Sequence, residues 1–381
     1  MTDALKVLHC HSTFAAGGKE VRSAKLINAF GKGLSHHIVS AMPDQMGARA
    51  LIDRRKAHVG YPADFPSLTG SPTPGRLVGI AQALKPYDLI LTYNWGAMDV
   101  VMAHTVFAQH FGLPPLIHHE DGFNEDEASE LKFTRNWYRR IALGRAHSLV
   151  VPSETLEQIA LDAWKQPRQR IVRIPNGIDT KAFARKADPR ALRLVKREGE
   201  KWIGSIAGLR AVKQLPMLVE AVSHLPESWH LVILGEGPEK DAIQKAAVDA
   251  DISHRVHLPG AIEDPAKVIG MFDIFALSSK SEQFPLSVVE AMAAGLPVIA
   301  PDVGDIRAMV GEKNRELIAV PNDADALAAM LAEIALYPDM GAQIGKENRE
   351  KARKLFDAKR MIERYSDLYS AALDGRWKGA K

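Results

Sequence analysis

An alternation of short apolar stretches with helical patterns, run through twice, limits what this chain can fold into more than any other feature. Lys6–His11 (KVLHCH) has the pattern of a first strand, Ala15–Lys19 (AAGGK) that of a glycine-rich loop, and Glu20–Lys32 that of a helix. Strand patterns bounded by turn residues recur at 36–42, 86–93 and 114–119. The alternation restarts near Trp202. Strand patterns at 202–208, 230–237, 255–260, 274–279 and 297–301 are separated by helical ones at 214–225, 239–250, 266–272 and 287–295. Strands that alternate with helices predict a parallel sheet covered on both faces. The sequence therefore predicts two α/β units, each a doubly wound parallel sheet.

Residues 174–190 (IPNGIDTKAFARKADPR) are rich in turn formers and read as a linker. The expected organisation is an N-terminal domain over 1–178 and a second domain over 179–355. A C-terminal helix over 356–381, with Met361, Tyr365 and Leu368 on one face, is expected to cross back to the first domain. A chain of 381 residues suits two domains. Its 46% hydrophobic and 25% charged residues are enough for two cores and argue against disorder. Ligands of open parallel sheets bind beyond the carboxyl ends of the strands, so the chemistry is expected in a cleft between the domains.

Composition removes several functions. The 49 Lys and Arg against 46 Asp and Glu leave a net charge of +3, far from the clustered excess of a nucleic-acid binder. Cys10 is the single cysteine, which excludes an internal disulfide and a Cys-based zinc site and fits a reducing compartment. The N-terminal MTDALKVLHCHSTF lacks a secretory pattern. No apolar run approaches the ~18–20 residues that cross a bilayer. A cytoplasmic protein, at most peripheral to a membrane, is expected. Neither G-x-G-x-x-G nor G-x-x-x-x-G-K-[ST] occurs, so dinucleotide and P-loop readings fail.

Ser281–Ala300 (SEQFPLSVVEAMAAGLPVIA) carries the most chemistry. Glu282 and Glu290 are separated by seven residues, Pro285 suits a helix start and Gly295 suits its stop. Glu282 then lies in the loop before a helix and Glu290 two turns into it. The N–H groups of Phe284, Leu286 and their neighbours form a helix N-terminus suited to an anion, a phosphate above all. Read alone, such a pair is more often two surface acids.

The segment resembles the E-x7-E region of glycosyltransferase family 4. Ile174–Asp179 (IPNGID), followed by Phe183, resembles that family's inter-domain signature. Leu234–Pro238 (LGEGP), Val256–Gly260 (VHLPG) and Asp302–Arg307 (DVGDIR) occur in the family's order and spacing. The resemblance implies the GT-B fold, two Rossmann-like doubly wound parallel-sheet domains facing across a cleft. It implies Glu282 against the donor sugar, the Gln283, Phe284, Pro285 and Leu286 backbone on sugar hydroxyls and phosphate, and Glu290 on the ribose hydroxyls. Gly17, Gly18, Gly208 and Ile262 complete the implied donor contacts. Arg210 and Lys213 (in GLRAVKQ) resemble the family's Arg–Lys pair at a shortened spacing, and two fixed cations would stabilise charge developing on a leaving diphosphate. The family usually has glycine after the first glutamate, whereas Gln283 narrows the sugar pocket or adds a hydrogen bond. Many members carry a histidine before a glycine that faces the reacting sugar. Spacing from Pro115 and Gly122 puts Asp121 there, with His119 on the same strand face by alternation, so both are candidates.

Other features have plainer alternatives. Gly17 and Gly18 let backbone approach phosphate or sugar, or form a simple turn. Adjacent His118 and His119 point opposite ways on a strand and do not share a metal. Asp323-Ala-Asp325 has the letters of a metal-holding pair but directly precedes ALAAMLAEIAL and reads as a helix cap. Residues 131–150 hold Lys132, Arg135, Arg139, Arg140 and Arg145 with no acid, and with Trp137 and Tyr138 interleaved. That suits an anionic lipid surface, an anionic acceptor, or a solvated helix face. Lys19, Arg22 and Lys25 add a second cationic stripe.

The resulting expectation is a retaining transferase that moves a sugar from a UDP- or GDP-sugar to a cell-surface glycolipid or polysaccharide precursor, on the cytoplasmic face of a membrane. No metal, bound cofactor or nucleic acid is expected. The resemblance implies front-face attack by the acceptor hydroxyl, with a diphosphate oxygen taking its proton. The alternatives are a GT-B sugar-nucleotide epimerase or hydrolase, and a non-catalytic partner subunit that kept the fold.

Overall fold

In the computed structural model, which describes residues 4–123, 127 and 131–379, the strands form one seven-stranded and one six-stranded sheet. The chain divides into two units: unit 1 is Met1–Asn176 with Met361–Lys381, and unit 2 is Gly177–Arg360.

Unit 1 contains β1 (Leu5–His11), β2 (Leu34–Ser40), β3 (His58–Gly60), β4 (Leu89–Tyr93), β5 (Leu116–His119), β6 (Ser148–Val151) and β7 (Ile171–Arg173). Their order is β3-β2-β1-β4-β5-β6-β7, all parallel. Every residue of β4 and β5 is buried, as a sheet covered on both faces requires. Met361, Tyr365 and Tyr369 of the helix Ala358–Ala372 pack with Val7, Leu91 and Tyr93, and Leu368 lies partly buried beside them.

Unit 2 contains β8 (Lys201–Ile206), β9 (Trp229–Leu234), β10 (Val256–Gly260), β11 (Ile274–Ala276), β12 (Val298–Pro301) and β13 (Ile318–Ala319), in the order β10-β9-β8-β11-β12-β13 and again parallel. Two apolar clusters, one around Trp202, Phe275 and Met292 and one around Leu218, Ile233 and Leu331, cover the two sides.

Both sheets reverse strand order once, at β1/β4 in unit 1 and at β8/β11 in unit 2. At such a point neighbouring loops leave in opposite directions and open a crevice at the carboxyl ends of the strands. Four short strands, β3, β6, β7 and β13, stand outside the sequence reading. The helix expected at 266–272 is instead a pair of 3-10 turns, Pro265–Lys267 and Ile269–Met271, since Pro265 and Gly270 break any longer helical run.

Candidate active site

In unit 2 the crevice is built by the loops after β8 and β11. The loop after β8 is pinned to the LGEGP backbone. Leu209 N–H donates to Glu236 O at 2.9 Å, and Glu239 N–H donates to Leu209 O at 3.0 Å. A Cβ on Gly237 would lie 2.3 Å from Leu209 O, so only glycine permits this approach. Across the crevice, Ser278 Oγ donates to Lys213 O at 2.8 Å and Lys280 N–H to Val212 O at 2.8 Å. The two loops are thus stitched together, and they carry the charged groups.

Lys213 Nζ forms an ion pair with Glu282 Oε1, with side chains 15% and 11% exposed. Ser279 Oγ donates to the same oxygen at 2.8 Å. Arg210 is exposed three residues before Lys213, and Gly208 is exposed beside it. The helix Leu286–Ala294 starts at Pro285 and ends at Gly295, whose φ of 81° is the left-handed stop. Its core-facing residues are Val288, Val289 and Ala291–Ala294, and half-buried Glu290 is its only charged residue. DVGDIR buttresses the glutamate loop from behind. Gly304 has φ +57°, a Cβ there would lie 2.4 Å from Glu282 O and 2.8 Å from Gln283 O, and Asp305 N–H donates to Gln283 O at 3.1 Å. The amide oxygens of Gln214 and Gln283 are buried without a hydrogen-bond partner among the described residues. Ile262 packs against the Trp202 cluster and borders a cavity of about 480 Å³ with Leu192 and Lys267. A carboxylate, two cations, a helix N-terminus and unsatisfied acceptors gathered at one strand-order reversal can hold a phosphorylated polyhydroxy ligand.

In unit 1 the two candidates after β5 separate. His119 is 1% exposed, and its ring nitrogens meet Thr92 O at 3.2 Å and the Tyr369 hydroxyl at 3.2 Å. Burial, helped by the nearby Arg22 charge, pushes its pKa down to about 3, so the ring is neutral. Asp121 keeps 12% side-chain exposure. Its carboxylate accepts from both terminal guanidinium nitrogens of Arg22, Nη1 and Nη2, the Nη2 bond measuring 2.7 Å, and Arg22 Nη1 also donates to Asn176 Oδ1 at 2.8 Å. Burial opposes ionisation of Asp121, but the Arg22 charge and hydrogen bonds outweigh it and hold the carboxyl below its usual range. Gly17 precedes and Gly18 begins the helix Gly18–Phe30, whose buried Glu20 pairs with Lys19 and accepts from Thr13 Oγ1 at 3.1 Å. A second cavity, of about 390 Å³, lies in unit 1 beside the carboxyl end of β4, walled by Trp95, Met98, Asp99, Arg135 and Tyr138.

The cations of unit 1 need correcting. Arg22 is 5% exposed and belongs to the Asp121 pair rather than to a surface stripe, while Lys19 is bound to Glu20. Arg139 is 1% exposed, Arg135 is 19% exposed, and both bind Glu127. A buried cation needs an acid, and the acid here lies just outside the window in which no acid was counted. Asp323 caps the helix Ala324–Leu336, accepting from Ala326 N–H at 2.8 Å. Among the described residues no three His, Cys, Asp or Glu side chains gather as metal ligands. The sequence reading missed Ser279, Gln214 and the role of Arg22. Ser279 was findable as a residue just past the end of β11; the Arg22–Asp121 contact spans 99 positions and has no local signal.

The chain matches two adjoining family models, "Glycosyltransferase Family 4" over 16–182 and "Glycosyl transferases group 1" over 191–351. It is 25% identical over 231 residues to N-acetyl-alpha-D-glucosaminyl L-malate synthase of Bacillus anthracis, covering 59% of this chain and 58% of that one. It is 25% identical to GDP-mannose-dependent alpha-(1-6)-phosphatidylinositol monomannoside mannosyltransferase of Mycobacterium tuberculosis, covering 83% of this chain and 85% of that one. The match thus spans under two thirds of the first of these relatives and most of the second. Among solved structures, Anabaena HepE in complex with UDP superposes with a TM-score of 0.79 at 18% identity, covering 96% of this chain and 100% of that one. Two parallel sheets of this strand order, the glutamate helix and both family matches place the chain in glycosyltransferase family 4, with the GT-B fold.

Proposed function

We propose that this protein is a nucleotide-sugar-dependent glycosyltransferase that transfers a sugar, with retention, to a glycolipid or polysaccharide precursor of the cell envelope. The observation that carries the reading is the Lys213–Glu282 ion pair, stitched into the β8/β11 crevice at the N-terminus of a helix bearing Glu290. Relatives named for N-acetylglucosaminyl and GDP-mannose chemistry, and a neighbour solved with UDP, support a UDP- or GDP-sugar as donor. The phosphatidylinositol mannoside acceptor in one relative's name supports a lipid-linked acceptor and work at a membrane surface. No described helix is long and apolar enough to cross a membrane.

In this reading Glu290 accepts hydrogen bonds from the ribose hydroxyls. Arg210, Lys213 and the N–H groups at the start of the helix hold the diphosphate. Glu282 and the buried Gln283 amide meet the sugar. As the bond from the anomeric carbon to the leaving oxygen lengthens, charge gathers on the diphosphate, and cations already in place stabilise it without reorganising. The acceptor oxygen forms its bond to the anomeric carbon on the face that the diphosphate leaves. The acceptor proton passes to a diphosphate oxygen, so no protein nucleophile and no metal are required. The cavity beside Trp95 and Tyr138 is the proposed acceptor pocket. Asp121, kept ionised by Arg22, is the residue offered to the reacting sugar.

The test is a thermal-shift screen of UDP-, GDP- and ADP-sugars, since a ligand of the native state raises Tm by linkage. The stabilising donor is then incubated with saccharide and glycolipid acceptors and the product anomer read by NMR. Retained configuration and acceptor-dependent nucleotide release are expected. Release at equal rates without acceptor makes the protein a hydrolase, and no stabilisation by any donor overturns the reading.

A further inference from the structure

The helix Phe133–Ala142 is inside out. Its inward side carries charge: Arg139 is 1% exposed and bonds Glu127 at 3.1 and 3.2 Å, Arg135 bonds Glu127 at 2.9 Å, and the Tyr138 hydroxyl donates to Asp99 at 2.6 Å. Its outward side carries the apolar residues. Phe133 is 75% exposed, Trp137 45% and Ile141 53%, at the i, i+4, i+8 spacing that lines one face of a helix. Phe133 and Trp137 touch edge to face with centroids 6.2 Å apart. On the neighbouring helix Met98–Phe111, Thr105 Oγ1 donates to the carbonyl of Ala142, and Val106 is a further apolar side chain 54% exposed. Large apolar side chains standing in water beside buried arginines reverse the usual arrangement, and contiguous exposed apolar surface marks an interaction site.

The charges around the stripe say what covers it. Arg140 lies over the Trp137 ring at 5.0 Å and is exposed, Arg145 is exposed one turn beyond Ile141, and Arg170 donates to Gly144 O beside it. Aromatic and aliphatic side chains rimmed by arginines match an anionic bilayer surface, where rings and chains enter the headgroup boundary and guanidinium groups meet lipid phosphates. We infer that Phe133, Trp137 and Ile141, with Arg140 and Arg145, form the face by which this protein docks on an anionic lipid membrane. The inference deepens the lipid-linked acceptor of the proposed function. Thr134, Arg135 and Tyr138 of the same helix line the cavity proposed for the acceptor, so docking by one flank would present the other to a lipid-borne saccharide. The cationic part of the dock is therefore smaller than the sequence of 131–150 implies, and its apolar part is larger.

The experiment is cosedimentation of the full chain with vesicles of phosphatidylcholine alone and with about one third phosphatidylglycerol, in low and high salt. No donor or acceptor is present, so the outcome is separate from that of the transferase reading. Wild type is expected to pellet with anionic vesicles and to keep part of its binding in high salt. Phe133→Ser, Trp137→Ser and Ile141→Ser together should weaken partitioning at least about tenfold, since insertion scales with buried apolar area. Arg140→Glu with Arg145→Glu should abolish the preference for anionic vesicles. Circular dichroism and calorimetric UDP and GDP binding, unchanged in both variants, report that the fold and the nucleotide site are intact. Wild-type failure to bind anionic vesicles, or a triple serine variant that binds as wild type does, overturns the inference. So does a concentration-dependent dimer that the serine variant dissolves while vesicle binding stays absent, because the face then belongs to a second copy of the chain.

Discussion

Replacing Gly304 by alanine tests whether the glutamate loop is held in register from behind. The residue has φ +57°, which costs a non-glycine residue about 1–2 kcal/mol. The new methyl would also stand 2.4 Å from Glu282 O, whereas ordinary contact begins at 3.4 Å, so loop and residue must part by 3.4 − 2.4 = 1.0 Å. The backbone that moves belongs to Glu282 and Gln283, whose positions set the Lys213 ion pair and the start of the helix. A 1 Å misplacement near reacting groups costs roughly 10²-fold in rate. Gly304→Ala should therefore lower kcat/KM for the donor by about two orders of magnitude and lower Tm by roughly 2–8 °C. Gly112→Ala is the matched control. Gly112 has φ +62° with no atom within 4 Å of the added carbon, so it bears the backbone cost without the collision. It should lose less stability than Gly304→Ala and keep wild-type kinetics. Nucleotide-release kinetics and thermal unfolding of the two variants decide it. If Gly304→Ala keeps wild-type kcat/KM, or if both variants lose activity in proportion to stability, the loop is not a positioned catalytic element.

Three further outcomes follow from the same geometry. Lys213→Ala and Arg210→Ala should each lower kcat by about 10²–10³ with smaller effects on donor KM, and their effects should be non-additive because both act on one diphosphate; steady-state kinetics of the single and double variants checks this, and near wild-type kcat in both single variants refutes it. Turnover in excess chelator should match turnover without it, and rescue of a chelated enzyme by Mg²⁺ or Mn²⁺ would show that a metal shares the diphosphate charge. Burial holds His36 and His119 at about 3, below the ordinary value near 6.5, so the unfolded chain takes up protons that the folded chain refuses as pH falls from about 6.5 to 3. Each should then remove about 2 kcal/mol of stability by pH 5, read by urea unfolding at pH 7 and 5, and a His36→Gln variant should show a correspondingly shallower loss.

The parts of the molecule visible in the sequence are those written in local patterns. Pro285, Gly295 and the apolar run between them define one helix, so the spacing of Glu282 and Glu290 translates directly into geometry. The glycines of LGEGP and DVGDIR are legible as motifs, but their purpose is not. Gly237 and Gly304 matter through contacts with Leu209 and Glu282, which lie 28 and 22 residues away and become neighbours only when β8 pairs with β9 and β11 with β12. The arginines of 131–150 show the same limit in reverse. A count of charges along the chain cannot tell Arg139, turned inward onto Glu127, from Arg140, one residue on and exposed, because a single step turns a helix by about 100°. Likewise His119 and Asp121 share a strand face in sequence, yet the C-terminal helix delivers Tyr369 onto the first, and Arg22 reaches the second.

In the proposed function, unit 2 holds a nucleoside diphosphate through Glu290 on the helix Leu286–Ala294. Isothermal titration of UDP and GDP into wild type and Glu290→Ala tests it most directly. A carboxylate holding ribose hydroxyls makes charge-assisted hydrogen bonds worth roughly 1.5–3 kcal/mol each, and about 1.4 kcal/mol is tenfold in affinity. One nucleotide should bind wild type and bind Glu290→Ala at least about tenfold more weakly, with thermal unfolding unchanged in the absence of ligand. Equal affinity in the two proteins, or binding of neither nucleotide to wild type, would remove Glu290 from the nucleotide site.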